Sequence, residues 1–319
     1  MEWLWLAVGL GLLVLGAEGL VRGGVGLARR LGVSPLLIGV TVVAWGTSTP
    51  ELVVSVDAAL RGLDDVAIGN VVGSNIFNIL FILGVTAAIA PIVVPPAAIR
   101  RDAGFALGAA LLFVGFALTT TQLTFWHGVL CLVLLLGSAV FTYSQEKGGG
   151  TASGDLHAAE SEEKQVIPTR PLVSLALLAG GIGLLVVGGG LLVENAVTIA
   201  RRFGVSDTVI GLSLVAAGTS LPELATSVIA ALRGHSAIAL GNVIGSNIYN
   251  ILGILGVANL LAPTRIAPEI AATEMWVMLA ASLLLVPAML NGRIGRPLAG
   301  VMLAGYAGYV WHLARMAGA

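Results

Sequence analysis

The chain is short of charge. Of its 319 residues only 10% are Asp, Glu, Lys or Arg, while 57% are hydrophobic and the mean hydropathy is +0.98. A soluble domain carries roughly 25% charged residues, so the composition excludes a water-soluble fold and indicates an integral membrane protein. The formal net charge is -1, which supplies no basic surface and excludes nucleic acid as a partner. Cysteine is nearly absent. The single Cys131 lies in an apolar run, cannot form an intramolecular disulfide, and reads as a buried, inert thiol. No pair of histidines or cysteines makes a soft-metal site, and no nucleophile–base set, phosphate loop or metal-hydrolase motif is present. The residues therefore give no reason to expect an enzyme or a bound cofactor. The N-terminus lacks a basic leader region: it starts with Glu2, and no A-x-A site precedes Glu18. It reads as a retained first transmembrane helix.

What the chain does have is a repeat. Ile38 to Gly84 recurs from Ile210 to Gly256 at a constant offset of 172, with 31 of 47 positions identical and no gap. RRLGVS from Arg29 matches RRFGVS from Arg201 at the same offset. Spans need about 20 apolar residues. Ten candidates lie near 3–21, 35–59, 66–90, 103–120, 123–143, 171–193, 207–232, 237–262, 273–290 and 297–314. Residues 144–170 break this composition with three consecutive glycines (148–150) and the charged run SGDLHAAESEEK, and read as a solvated linker.

The expected fold is thus an all-α integral membrane protein of about ten transmembrane helices in two five-helix repeats, 1–143 and 171–319. Five is odd, so the repeats must be inverted, with the site at the midplane where they meet. Counting Lys and Arg by loop gives 11 on the linker side and 5 on the other, which predicts an outside N-terminus and a cytoplasmic linker.

Each repeat carries one glutamate in an apolar stretch: GTSTPE ends at Glu51 and GTSLPE at Glu223. An ionisable residue kept at membrane depth is costly and marks function. Pro50 and Pro222 cannot donate a backbone hydrogen bond, so each helix should kink or break, freeing the carbonyls of Gly46 and Gly218. Freed carbonyls in a membrane are tolerated beside a cavity, where they can bind cations. Ser48 and Ser220 add hydroxyls. The second motif, GNVxGSNIxNIL, runs from Gly69 to Leu80 and from Gly241 to Leu252. Asn70, Ser74 and Asn78 are spaced i, i+4, i+8 along one helical face, as are Asn242, Ser246 and Asn250. Gly69 with Gly73, and Gly241 with Gly245, should let helices approach closely. Two carboxylates among neutral oxygens suit a hard cation such as Ca2+, which takes about 6–8 oxygen ligands. Once the cation leaves, other cations or protons must compensate the two charges, and that requirement is the physical root of exchange.

These paired motifs resemble the alpha repeats of the calcium/cation antiporter superfamily, most closely its sodium/calcium exchanger branch. The first alpha motif is 38–84 and the second 210–256. The resemblance implies Ca2+/Na+ antiport by alternating access. It implies that Glu51, Glu223 and the carbonyls of Thr47 and Thr219 hold Ca2+, while the same glutamates with Ser48, Ser74, Ser220 and Ser246 serve Na+. Asn78 and Asn250 complete the expected set. Potassium-dependent members have aspartate where this chain has Asn250, which argues against K+ dependence. The expected cargo is Ca2+ and Na+, with the lipid bilayer of the cell (inner) membrane as surroundings and no obligate protein partner. A Ca2+/H+ exchanger of the same superfamily is the rival, with a cation channel behind it.

Other polar residues have plainer readings. Glu18 and Arg22 form a local i,i+4 pair. Asp102, Glu194 and Asp207 lie at span ends, Asp57 is interfacial, and His235 is exposed in a short turn. Asn75 and Asn247 cap or join helices, whereas Asn70 and Asn242 either line the path or tie helices together. Trp3, Trp5, Trp276 and Trp311 are interface anchors.

Overall fold

The computed structural model describes residues 1–94, 96–148, 170–203 and 216–316. Most of the linker, Asp207, the end of RRFGVS and the first residues of the second alpha motif lie outside them. The described chain is helical. In order it forms α1 (Glu2–Leu31), α2 (Pro35–Thr47), α3 (Thr49–Leu60), α4 (Asp64–Ile89), α5 (Pro96–Thr119) and α6 (Phe125–Gly148). The second half forms α7 (Pro171–Arg202), α8 (Ala216–Gly218), α9 (Leu221–Leu232), α10 (Ser236–Leu261), α11 (Ile270–Asn291) and α12 (Arg296–Met316).

Seven of these are long and apolar enough to cross a membrane: α1, α4, α5, α6, α7, α10 and α11. The pair α2 and α3, bent by 49°, makes an eighth. The short apolar α9, with α8 before it, stands at the repeat position of that broken pair, and the 21-residue α12 stands last. The elements thus follow the ten-segment order.

The inversion is visible in reciprocal contacts. In α1 and α7, a methyl group built on Gly9 would meet the Gly188 carbonyl oxygen at 2.8 Å, and one on Gly181 would meet that of Gly16 at 2.8 Å. The offset of 172 turns the first contact into the second, so the helices are antiparallel mates about a pseudo-two-fold axis. Two short ladders follow the same symmetry to within one residue of register. Strand β1 (Ile92–Val93) pairs antiparallel with β4 (Arg293–Ile294), placing Ile92 opposite Ile294. Strand β2 (Gln122–Leu123) pairs with β3 (Thr264–Arg265), placing Leu123 opposite Thr264. Each ladder ties a loop of one half to a loop of the other. The joined loops share a membrane face only because an even number of segments separates them.

The core lies around α4 and α10, the most deeply buried spans. Ile68, Val72, Ile76, Ile79 and Ile82 pack there with Leu240, Val243, Ile251 and Leu255. Gly241 and Gly245 let α10 cross α2 at backbone distance: a methyl on Gly241 would lie 2.8 Å from the Leu36 carbonyl oxygen, and one on Gly245 would strike the Val40 carbonyl. The repeat counterpart of that α2 segment lies outside the described residues, so the matching role of Gly69 and Gly73 has no counterpart contact on view.

Asp102, expected at a span end, and His235, expected to be exposed, are both buried. Asp102 is 1% exposed, inside α5, because the helix begins at Pro96 and not at residue 103. Its charge is met by Arg101, whose Nε donates at 2.6 Å. Arg101 also donates to Glu146 at 3.2 Å, and Glu146 accepts from the Ser34 amide (2.8 Å) and hydroxyl (2.6 Å). This network fastens the end of α6 to the start of α2. His235 is likewise 3% exposed. Gly234 takes φ 78, the His235 amide turns back to the Ala230 carbonyl at 2.8 Å, and the residue is folded under rather than out.

Candidate cation-binding site

The two GTS-x-PE segments meet at the centre of the molecule. Helix α2 ends at Thr47, and α3 restarts at Thr49 with Pro50 in its first turn, where a missing N–H costs nothing. Ser48 is the joint, with φ -81 and ψ 13; Ser220 plays the same part before α9, with φ -91 and ψ 10. The break therefore falls two residues before each proline. Glu51 and Glu223 sit in the first turn of the restarted helices, where backbone N–H groups favour a carboxylate.

The Gly46 carbonyl, expected to be free for a cation, is not free. The Thr49 hydroxyl donates to it at 2.8 Å and so replaces the donor that Pro50 removed. The second repeat has Leu221 at this position and no hydroxyl to do the same.

Glu51 and Glu223 are 1% and 0% exposed. Each is held by the serine of the opposite half. The Ser48 hydroxyl donates to Glu223 Oε1 at 2.7 Å, and the Ser220 hydroxyl donates to Glu51 Oε1 at 2.8 Å. Behind them, Ser48 lies 3.0 Å from Ser246 and Ser220 lies 3.5 Å from Ser74. The Thr219 and Thr47 side chains approach Glu51 and Glu223 respectively. The eight residues Thr47, Ser48, Glu51, Ser74, Thr219, Ser220, Glu223 and Ser246 thus form one pseudo-symmetric cluster, buried but for the half-buried Thr219.

The second oxygen of each carboxylate is different. Glu51 Oε2 and Glu223 Oε2 are buried without a hydrogen-bond partner among the described residues, as are Asn78 Oδ1 and Asn250 Oδ1. A buried polar atom without a partner costs about 1–3 kcal/mol, more if charged. Four such oxygens, all acceptors and two of them carboxylate, are left for a donor or a cation to satisfy. No cluster of three or more His, Cys, Asp or Glu exists among the described residues, so any cation here is held by two carboxylates and neutral oxygens.

The asparagines divide by task. Asn70 donates to the Glu51 carbonyl (3.2 Å) and to Ser55 (2.9 Å); Asn242 donates to the Glu223 carbonyl (3.2 Å) and to Ser227 (3.0 Å). Both fasten a glutamate-bearing helix to its neighbour. Asn242 Oδ1 also accepts from Thr47 across the halves at 3.1 Å. Asn75 donates to the Val71 carbonyl, and Asn247 bridges Asn78 (3.0 Å) and the Asn75 carbonyl (3.3 Å). Ser55 and Ser227 were not among the expected residues. The available signal was their recurrence at i+4 from each glutamate.

Below the site the helices are wound more widely. Phe77–Leu83 and Tyr249–Ile254 are π-helical, as is Gly39–Val43. The two π segments in α4 and α10 begin one residue before Asn78 and Asn250, which re-aims those side chains. Such segments occur often at functional sites.

Comparison with known proteins agrees with this geometry. Residues 1–144 and 173–315 match the family described as sodium/calcium exchanger protein. The putative antiporter CaxA of Alkalimonas amylolytica is 40% identical over 316 residues, covering 97% of this chain and 98% of that protein. The sodium/calcium exchanger MaX1 of Methanosarcina acetivorans is 34% identical over 322 residues, covering 89% and 90%. A solved structure of the sodium-calcium exchanger NCX_Mj, soaked with Na+ and Ca2+, superposes with a TM-score of 0.80 at 34% identity, covering 97% of each chain.

Proposed function

This chain belongs to the sodium/calcium exchanger family, and from that premise we propose that it exchanges Ca2+ for Na+ across the cell (inner) membrane by alternating access. Cation antiport is the family's activity, and the ions are substrates. The observation that carries the reading for this chain is the pair of buried glutamates. Each gives one oxygen to a serine of the opposite half and leaves the other without a hydrogen-bond partner among the described residues.

Two carboxylates neutralise one Ca2+. Glu51, Glu223 and the backbone oxygens of Thr47 and Thr219 are its proposed ligands. When Na+ replaces it, Ser48, Ser74, Ser220 and Ser246 supply hydroxyl oxygens beside the same carboxylates, and Asn78 and Asn250 add amide oxygens. Because each serine holds the opposite glutamate, removing the cation from one half disturbs both. Empty carboxylates in a dry site are costly, so Ca2+ departs favourably when other cations take over the charge. With three Na+ per Ca2+ one net charge moves per cycle, worth about 2.3 kcal/mol per 100 mV. Asn250 removes an acidic group from the centre, which supports K+ independence. The N-terminus is proposed to lie outside and the linker, 144–170, in the cytoplasm, with 1–143 and 171–319 as the two moving repeats.

The test is 45Ca2+ uptake into proteoliposomes loaded with Na+ or K+ at matched pH and clamped voltage. Uptake that requires internal Na+ is the expected result. Uptake that ignores Na+ and follows an imposed pH gradient would assign Ca2+/H+ exchange and make both glutamates proton carriers.

A further inference from the structure

The two ends of the molecule differ although their sequences match. Helix α1 packs along α9, and its Ala17, Leu20, Val21 and Val25 share a core with Ala230, Ala231 and Ile238. The symmetry mates, α7 and α3, make no comparable contact. The α3 face is left bare: Val53 is 61% exposed and Val54 37%, while Thr226, the repeat counterpart of Val54, is 0% exposed. Helix α1 covers α9, and α7 leaves the matching face of α3 uncovered; these we take as the two mouths of the site, the first shut and the second open.

An ion pair sits at the shut mouth. Glu18 on α1 accepts from Arg233, at the end of α9, at 3.0 Å, and from Arg22, one turn along α1, at 2.6 Å. Positions 22 and 233 therefore meet at one carboxylate. The repeat offset carries Arg233 to Arg61, Glu18 to Gly190 and Arg22 to Glu194. The charges are exchanged: the arginine at the helix end is kept, the acid has moved one turn along the long helix, and glycine stands where it was. In this structure Arg61 pairs with Asp57 of its own helix at 2.9 Å, and Glu194 is exposed on α7. Asp57 has no counterpart in the second repeat, where Ile229 stands.

We propose that Arg61 and Glu194 form the ion pair that shuts the second mouth, the counterpart of Glu18–Arg233, so that each turnover breaks one pair and makes the other. Closing α7 over α3 as α1 now covers α9 brings position 194 to Arg61 as position 22 lies to Arg233. Gly190 leaves room for the arginine to pass. Arg61 then trades Asp57 for Glu194, and Glu18 gives up Arg233 while keeping Arg22, so Arg61 and Glu18 each keep a partner in both states. These are positioning residues, since none of them touches the buried cluster. The inference rests on alternating access and not on which ions are exchanged.

The test uses the full chain with Cys131→Ser and two cysteine pairs, Glu18→Cys with Arg233→Cys and Arg61→Cys with Glu194→Cys, in proteoliposomes under a Ca2+ gradient. Disulfide formation is read by mass spectrometry, which does not depend on flux. Both pairs are expected to cross-link, each to stop 45Ca2+ movement until reduced, and a chain carrying all four cysteines to form one bond or the other but never both. Failure of the 61–194 bond while each cysteine alone reacts with maleimide would overturn the proposal, and so would a 61–194 bond that leaves flux intact. For a chain without engineered cysteines, Glu194→Arg should slow turnover about two- to five-fold, in the range of an exposed pair. Adding Arg61→Glu should restore it, and lack of restoration counts against the pair.

Discussion

Glu51 and Glu223 each give one oxygen to a serine of the other half and leave the second without a hydrogen-bond partner among the described residues. Glu51→Gln keeps the shape and removes the charge, so 45Ca2+ flux should vanish while the protein elutes as a folded monodisperse species in detergent. Normal flux from that variant would end the mechanism. If Ca2+ is held as proposed, protons compete for the same oxygens, so at fixed Ca2+ its binding should weaken as pH falls, read by calorimetry in stepped buffers. Asn242→Leu tests a different residue role. It removes the donor to the Glu223 carbonyl and to Ser227 and should cost about 1–3 kcal/mol, seen as a lower unfolding midpoint. The glutamates, serines and threonines of the cluster were legible because they recur in apolar surroundings. The division of labour among the asparagines was not, because an i, i+4, i+8 face gives direction in a regular helix only, and π turns intervene before Asn78 and Asn250.

At the scale of elements, the broken helices follow from sequence, although the break falls at Ser48 and Ser220 and not at the prolines. Proline disfavours helix in the residue before it and is at ease in a first turn. Thr49 then occupies the Gly46 carbonyl, a local side-chain bond that no periodicity could announce. Gly245 is an element-scale dependence: any β-carbon there enters the Val40 carbonyl. Gly245→Val should separate α10 from α2, costing about 1–3 kcal/mol of packing or more and lowering Ca2+ flux together with thermal stability. Retained stability with that variant would mean that the two backbones are not in contact.

The whole molecule is a pseudo-symmetric body in an asymmetric state. Its sidedness gives a direct test. With Cys131→Ser, Trp126→Cys and Val93→Cys occupy exposed positions (74% and 64%), one in the first turn of α6 and one in β1, at opposite ends of α5. An impermeant maleimide should label position 126 in intact cells and position 93 only after permeabilisation; the reverse pattern would invert the proposed topology.

Sequence by itself determined the membrane class, the doubled motif, the inversion and the paired carboxylates. Each follows from composition, spacing or parity, which are properties of a one-dimensional string. Only the tertiary structure decided that each serine serves the opposite glutamate, that Asp102 and His235 are buried, and that α1 covers α9 while α7 leaves α3 uncovered. The two repeats share a pattern and therefore share an expectation. The packing of α1 on α9 without its mate of α7 on α3 is set by contacts between distant segments, which a repeated string does not encode.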